Sequence, residues 1–578
     1  METNEVLDRL PRHLHNLIID QPYHNYTAQD HAIWRHIMRQ NVKYLPGVAH
    51  SSYLQGLQNT GIGIEKIPEM YGMNRILKKI GWAAVAVDGF IPPAAFMEFQ
   101  AYNVLVIAAD IRPIDQLLYT PAPDIIHEAA GHAPIIADPE YSEYLRDFGK
   151  AGSLAFSSVF DNKVYEAIRH LSILKADPYT TFVAIEEAES QLDSLTRFQE
   201  SPSEMALLRN LHWWTVEYGL IGTTENPKIY GAGLLSSIGE SHNCLKAKVK
   251  KIPYSLDAMN FSFDITTQQP QLFVTPDFEH LNTVLKQYLS TMAVSNGGME
   301  GLKKALQSGS TSTIVYSSGL QVSGKLTKII GNGDQPVYMN FDGPAMLSFN
   351  NQQLEGQGIA NHKHGFGSPA GIIKNAGMPV ENMSEGELAA IGIITGKNVH
   401  IEFTSGVQVR GRLERITRNQ GRNLIFTIHD CSVTYNGELL FDPAWGIYDM
   451  AVGESVVSAF SGPADPDAFE LKYPAPEEKT HHLVHSQSAD RLYGFYSKVR
   501  LIREQGKMNT ELIEIWNILK NQYPEEWLLP LEIAEELIKY TDNSGTVDDI
   551  KAWLRKLAGT NEEIQTLIED GLFLINKD

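Results

Sequence analysis

Cysteine is nearly absent. Cys244 and Cys431 are the only two in 578 residues, too few for a disulfide framework and in keeping with a cytoplasmic setting. Long apolar runs are missing as well. No stretch approaches the roughly 18 uninterrupted apolar residues of a membrane span. The opening METNEVLDRLPRH is polar, so no signal peptide is expected. Basic residues are scarce against acidic ones, 48 Lys and Arg to 69 Asp and Glu, for a formal net charge of −21. A chain of that charge repels phosphate backbones and anionic bilayers, so neither nucleic acid nor membrane is expected as a partner. What is present is ordinary for a globular protein: 43% hydrophobic and 20% charged residues. The length exceeds one compact domain and implies two to four.

Residues 1–120 read as helix and loop with two short strands. Thr27 precedes an apolar helical pattern at Ile33, Trp34 and Ile37. A β-like run from Gly81 is closed by Gly89 and two prolines, and a second run starts at Asn103. Residues 137–222 are strongly helical. Ser201, Pro202 and Glu204 suit a helix start, with Ser201 as cap and Glu204 as the carboxylate of a capping box. Leu207, Leu208, Leu211, Trp214 and Ile221 then share one face at about 100° per residue. Glu217 lies at the edge of that stripe, where a buried carboxylate needs a compensating charge or hydrogen bonds. Small residues from Tyr230 to Glu240 permit close backbone approach, and Ser295-Asn-Gly-Gly marks a domain edge.

Residues 311–446 are strand-like and contain an internal repeat. Val315-Tyr-Ser-Ser-Gly319-Leu-Gln-Val-Ser-Gly324 aligns with Glu402-Phe-Thr-Ser-Gly406-Val-Gln-Val-Arg-Gly411 at an offset of 87 residues. Residues 451–480 read as a linker, and 481–578 as helical, with Gly506 and Gly559 as stops and Thr546 as a start.

The chemistry concentrates in Asp124-Ile-Ile-His127-Glu128-Ala-Ala-Gly131-His132-Ala-Pro134. Two histidines and a carboxylate are the ligand set of non-haem Fe(II) oxygenases, and they also suit zinc. The histidines are five residues apart, about 140° around a regular α-helix. They cannot meet one metal from an ideal helix unless it ends or deforms, for which Gly131 offers a place. The spacing also departs from the zinc-protease motif, whose histidines are four apart. Pro121 and Pro123 shape the approach to the helix, and Asp124 suits its N-terminus. His362-Lys-His364 is read as a solvated loop rather than a metal or phosphate site, and Cys244 as a core residue rather than a nucleophile.

Three longer segments, Tyr119 to Pro134, Trp214 to Leu220 and Tyr230 to Glu240, with Gly89-Phe-Ile-Pro and Gln269 to Val274, resemble the tetrahydropterin-dependent aromatic amino acid hydroxylases. The likeness covers about residues 20–290. It implies a mainly α catalytic domain with short strands over residues 1–295. The duplicated antiparallel β region (311–450) and the helical C-terminal region (481–578) that follow have no counterpart in that family. By that resemblance His127, His132 and Glu217 bind Fe(II). Gly89, Ile91, Phe96 and Glu128 flank a tetrahydrobiopterin or related pterin. Arg112 clamps the amino-acid carboxylate with Asp124 behind it, a task suited to bidentate guanidinium pairing. Pro123 and Trp213 cage the ring. Ser236 orients an iron-binding histidine, and it and Glu128 are expected to serve catalysis. Departures are Ala129-Ala130, His212, Tyr218 and Val106, which bear on ring selectivity and pterin fit.

The expected reaction is hydroxylation of a free aromatic L-amino acid with O2, Fe(II) and tetrahydropterin. L-phenylalanine to L-tyrosine comes first, by analogy with the bacterial form; tryptophan or tyrosine hydroxylation is the alternative within the family. A zinc hydrolase with Glu128 as base and an inert binding protein are the rivals from other classes. The C-terminal helices are read as core packing, with a homo-oligomer interface as the second reading.

Overall fold

The structure, a computed structural model, describes residues 4–89, 91–118, 123–176, 180–196, 201–263, 268–473, 486–507, 510–540, 544–559 and 562–575. Phe90, in the proposed pterin-side segment, and Pro121 lie outside these.

Thr27 caps the first long helix, α1 (Ala28–Tyr44), as its position suggests. Its hydroxyl accepts from Asp30 N, and the Asp30 carboxylate accepts from Thr27 N at 2.7 Å. This reciprocal pair satisfies two of the free N–H groups at the helix start. Strands β1 (Ala83–Val87) and β2 (Val104–Ala108) pair in parallel around helix α2 (Pro93–Ala101). Every residue of both strands is buried, which explains their uninterrupted apolar runs. Helices α3 (Pro139–Leu154), α4 (Val159–Ala176) and α5 (Phe182–Thr196) follow.

Helix α6 (Glu204–His212) starts two residues later than the sequence pattern suggests. Ser203, not Ser201, is the cap, accepting from Ala206 N. Glu204 is no capping-box partner. Its buried carboxylate instead accepts from Phe156 N, Ala293 N and Lys304 Nζ. Ile221 is not on this helix either, because the helix ends before it and Ile221 falls in strand β3 (Leu220–Gly222). With β4 (Pro227–Ile229), β5 (Lys250–Pro253) and β6 (Gln271–Thr275) it forms a sheet in the order β4-β3-β6-β5. A short helix, α7 (Ala232–Leu235), lies between β4 and β5, and α8 (Phe278–Leu289) and α9 (Gly298–Ser308) lead out of this half.

The next region is β-rich. Strands β7 (Thr311–Tyr316), β8 (Leu320–Asn332) and β9 (Gln335–Phe349) form an antiparallel meander, joined at the β9 edge by β10 (Gly365–Pro369). A second antiparallel sheet contains β11 (Asn398–Glu402), β12 (Gln408–Asn419), β13 (Arg422–Tyr435), β14 (Glu438–Phe441) and β15 (Tyr448–Ala451). Residues 456–461, expected within a linker, are strand β16 (Val456–Ser461), which returns to pair with β7. The β region therefore runs past residue 450. Its chain turns at Gly319 and Gly406 both have positive φ, 90° and 98°. The β8–β9 ladder shifts register between Ser323 and Lys325, Leu326 and Lys328, and Ile330 and Gly331. The β12–β13 ladder shifts at Arg410 and Arg412, Leu413 and Arg415, and Thr417 and Arg418, each 87 residues later.

The C-terminal helices α10 (Gln487–Gln505), α11 (Glu511–Gln522), α12 (Leu528–Ile538), α13 (Ser544–Ala558) and α14 (Glu562–Ile575) close the chain. Gly506 ends α10 with φ 62°, as its position suggests. Thr546 lies inside α13 rather than at its start. These helices share one apolar core with the first half, in which Trp34, Trp214, Tyr496, Trp516 and Ile568 belong to a single cluster. Among the described residues no helix is long and apolar enough to cross a membrane.

Candidate metal centre

The five-residue histidine spacing is accommodated by a change of helix type. Residues His127–His132 form a π-helical turn, closed by a hydrogen bond from Ala133 N to Glu128 O. In such i→i+5 bonding, residues five apart lie over one another. Of the two outcomes expected at Gly131, an end or a deformation, the helix takes the second. Gly131 serves a different need: a Cβ there would stand 2.7 Å from Ala232 O, so its hydrogen lets the α7 backbone close over the turn. Asp124 Oδ1 accepts from His127 N at 2.9 Å and fixes the start. The Tyr53 hydroxyl donates to Ala130 O from outside.

The third group arrives on a second π turn. Trp213–Glu217 continues α6, and Tyr218 N donates to Trp213 O at 2.8 Å. Thr215 Oγ1 donates to Leu211 O at 2.7 Å, a local bond that competes with the regular helix ladder and favours its distortion. Gly231 then lets the chain pass beside Glu217, since a Cβ there would lie 2.5 Å from Glu217 O.

The two turns bring His127 Nε2 and His132 Nε2 to 3.2 Å from each other. Glu217 Oε2 is 3.1 Å from His127 Nε2, and Oε1 is 3.3 Å from His132 Nε2. Ligands about 2.1 Å from one metal, at right angles, stand about 3 Å apart, so these three separations match one face of a six-coordinate ion. The protonation pattern agrees. The Ser236 hydroxyl donates to Ala232 O at 2.8 Å and so accepts, at 3.1 Å, from His127 Nδ1. That leaves the His127 Nε2 lone pair facing the centre, the usual arrangement for a metal-binding histidine.

Glu128 offers a second carboxylate, 3.8 Å from His132 Nε2. Burial pushes its carboxyl up to about 8, and its Oε2 is buried without a hydrogen-bond partner. His127, Glu128 and His132 offer ligand atoms within 4.8 Å of one another and could hold a metal; Glu217 stands nearer to both histidines, at 3.1 and 3.3 Å.

Arg112 and Asp124 form a buried bidentate pair, with Nε to Oδ2 and Nη2 to Oδ1 both at 2.8 Å. Asp124 also accepts from Arg112 N, and Arg112 Nη1 donates to Ser236 O at 3.2 Å. Burial raises the Asp124 carboxyl less than Arg112 and the two backbone donors lower it. The arginine expected to meet a substrate is thus also a structural tie between the β2 exit, the first π turn and the Ser236 loop.

Trp213 is half-buried and stacked between Tyr218, at 4.5 Å, and Phe263, at 4.2 Å between ring centroids. Phe263 has no motif around it, and sequence reasoning missed it. Phe96, on α2, meets the His212 ring edge-on at 5.9 Å. Ile91 is buried in the apolar cluster against which Phe96 packs, and Gly89 has φ 70°. Pro123 is half-buried just before Asp124. His212 was noted only as an unusual residue, yet its Nδ1 stands 3.7 Å from Glu217 Oε1, and burial lowers its imidazole to about 4.

Two other sequence candidates have simpler explanations. In the His362-Lys-His364 loop, Lys363 and His364 are exposed, as expected, while His362 is half-buried and bonds Gln357 Oε1 at 2.7 Å. Burial pushes the Cys244 thiol up to about 12, unsuited to a nucleophile.

Residues 18–164 and 153–296 match the family model described as biopterin-dependent aromatic amino acid hydroxylase. Similar proteins are a phenylalanine-4-hydroxylase of Ralstonia nicotianae, 32% identical over 266 residues covering 46% of this chain and 71% of that one, and one of Chromobacterium violaceum, 29% identical over 266 residues covering 46% and 75%. A crystal structure of the Chromobacterium violaceum phenylalanine hydroxylase with bound iron(III) and 7,8-dihydrobiopterin shares 28% identity, covers 50% of this chain and 91% of that one, and superposes with a TM-score of 0.39.

Proposed function

Because the chain belongs to the biopterin-dependent aromatic amino acid hydroxylase family, we propose that it hydroxylates the ring of a free aromatic amino acid, L-phenylalanine to L-tyrosine, using O2, Fe(II) and a tetrahydropterin. The observation that carries this reading is the convergence of His127 Nε2, His132 Nε2 and the Glu217 carboxylate within 3.1–3.3 Å of one another. Two lone pairs and a carboxylate so close, in a buried site, repel one another unless a cation lies between them. Family membership leaves the zinc-hydrolase rival without support.

His127, His132 and Glu217 would hold the iron, and Ser236 orients His127 by accepting from its Nδ1. Bound together, Fe(II) and the pterin supply the oxygen reduction that side chains alone cannot perform. The remaining work belongs to the protein. Gly89, Ile91 and Phe96 form the apolar flank for a pterin, with the buried Glu128 carboxyl beside it. A guanidinium carries five N–H groups. Arg112 uses three side-chain nitrogens on Asp124 and Ser236, which leaves two N–H groups with no partner among the described residues for a substrate carboxylate. Pro123 and Trp213, backed by Phe263, would grip the ring and exclude water around it.

Residues 1–295 act as the catalytic unit in this reading. The β region is a duplication, with its second copy running from Asn398. Support comes from the paired positive-φ glycines and from three ladder irregularities that recur 87 residues later, because bulges are placed by the sequence that makes them. Helices α10 to α14 serve as a brace on α1.

The test is an assay of the full-length, Fe(II)-loaded protein on phenylalanine, tyrosine and tryptophan, with and without tetrahydrobiopterin. Hydroxylation that vanishes without pterin is expected, with phenylalanine the fastest substrate. Glu217→Ala should abolish both iron content and turnover. Turnover without pterin, or normal iron in the Glu217 variant, would refute the assignment.

A further inference from the structure

His212 sits in a place the proposed reaction has not used. It is the last residue of α6, one position before the turn that carries Glu217. Its ring makes edge contacts with Phe96 and Phe148, with centroids at 5.9 and 5.3 Å. Nε2 is buried and has no hydrogen-bond partner among the described residues. Nδ1 faces Glu217 Oε1 at 3.7 Å. The second carboxylate oxygen, Oε2, is the one nearer His127. The two oxygens of Glu217 are therefore in different surroundings: Oε2 faces His127, while Oε1 faces His132 at 3.3 Å and is also within reach of a third ring, His212.

We propose that His212 is a positioning residue for the metal-binding carboxylate, its Nδ1–H donating to Glu217 Oε1 so that Glu217 binds through a single oxygen. This rests on the reading of Glu217 as an iron ligand. The argument is one of geometry and donor count. An imidazole carries an N–H on at least one of its ring nitrogens. Nε2 has no hydrogen-bond partner among the described residues, whereas Nδ1 has a carboxylate oxygen in front of it. Closing 3.7 Å to a hydrogen bond needs a shift of well under 1 Å, and such bonds are commonly loose in a site without its ligands. A carboxylate held by a donor on one oxygen cannot easily chelate with both, so one more coordination position stays open for oxygen or substrate. Partners of this kind around metal ligands change metal affinity about 10–100-fold when removed.

The experiment compares the full-length protein with His212→Phe, which keeps a planar ring but has no donor, and His212→Gln, which keeps a donor. Fe(II) affinity is measured by competition with a chelator, and the Fe(II)–nitric oxide adduct is examined by electron paramagnetic resonance. His212→Phe should bind Fe(II) about 10–100-fold more weakly and give an altered spectrum, while His212→Gln recovers most of both. Equal loss in the two variants would assign His212 to packing and overturn the proposal, as would unchanged affinity and spectrum in His212→Phe. Failure of His212→Phe to fold leaves the decision to His212→Gln, whose affinity must then remain within a few-fold of wild type. A wild-type protein that binds no Fe(II) would refute the iron reading itself, and this inference with it.

Discussion

At the scale of single residues, Arg112 shows how a binding group can be mistaken for a dispensable one. Seen only as a clamp for a substrate carboxylate, its removal should mainly raise KM. Its partner changes that expectation. Asp124 is buried, and Arg112 supplies both of its side-chain ion-pair contacts as well as a backbone N–H. Taking one member from a buried pair strands the other charge, at about 3–5 kcal/mol. Arg112→Ala should therefore lose stability by about that amount, and urea unfolding will measure it. Adding Asp124→Asn should restore much of the stability but none of the substrate affinity, because the stranded charge is gone while the clamp is still missing. A stable Arg112→Ala variant with only a raised KM would show the pair to be unimportant to folding. The residues proposed as ligands were legible as candidates: His127, His132 and Glu217 each stand in a distinctive local pattern. Phe263 and the approach of His212 to Glu217 were not, because both depend on which distant segments the fold brings together.

At the scale of elements, the two π turns are what the sequence hides best. The spacing of His127 and His132 exposes the problem, since a regular α-helix cannot aim both at one point, but not its solution. A π turn solves it by local rewinding, with the helix continuing on both sides. The cue to Gly131 was sound and its reason was different. The glycine is required by the neighbouring Ala232 backbone, which no local pattern reveals. Gly131→Ala should force α7 away from the turn, because the new methyl would press on backbone atoms at 2.7 and 3.1 Å that cannot rotate aside. Overpacking of this kind costs about 1–3 kcal/mol. Ser236 follows α7 directly, so its hydrogen bond to His127 should loosen as well. The expected result is a lower thermal midpoint together with weaker Fe(II) binding, read by calorimetry and chelator competition. A variant that is destabilised yet binds iron normally would show that the close approach serves packing alone. Strands β1 and β2 and the helix cap at Thr27 were readable because local pattern decides them. The start of α6 was misread because Ser203 caps it, which frees Glu204 to join α6 to Phe156, Ala293 and Lys304.

At the scale of the whole molecule, the C-terminal helices were recognisable as helices but not as part of the same core as the first half. An amphipathic stripe announces that it will be covered without naming what covers it. The junction is visible at His36 on α1, which is buried, meets Trp527 at 5.2 Å between rings, and bonds Gln40 through Nε2 at 2.8 Å. Burial first, then the nearby Arg39 and Arg35, hold its imidazole down to about 3 from an ordinary 6.5. In the window from pH 6.5 down to about 3 the unfolded chain binds a proton at this residue that the folded chain refuses. Stability from this site is therefore complete above pH 6.5 and falls on acidification, by about 1.4 kcal/mol per pH unit for one proton. Other groups titrate in the same range, among them the Glu240 carboxyl, raised to about 7 by burial, and Asp570, raised to about 6 by burial and Glu569. These act in the opposite sense, so total stability is a poor readout of His36 alone. The difference between wild type and His36→Gln isolates it, since Gln keeps an acceptor for Gln40 and takes up no proton. Between pH 7.5 and pH 5 the variant should gain about 2 kcal/mol relative to wild type, measured by urea unfolding at both values. A difference that stays constant with pH would mean that His36 is hydrated or protonated in the folded protein, and that α1 and the C-terminal helices do not close over it.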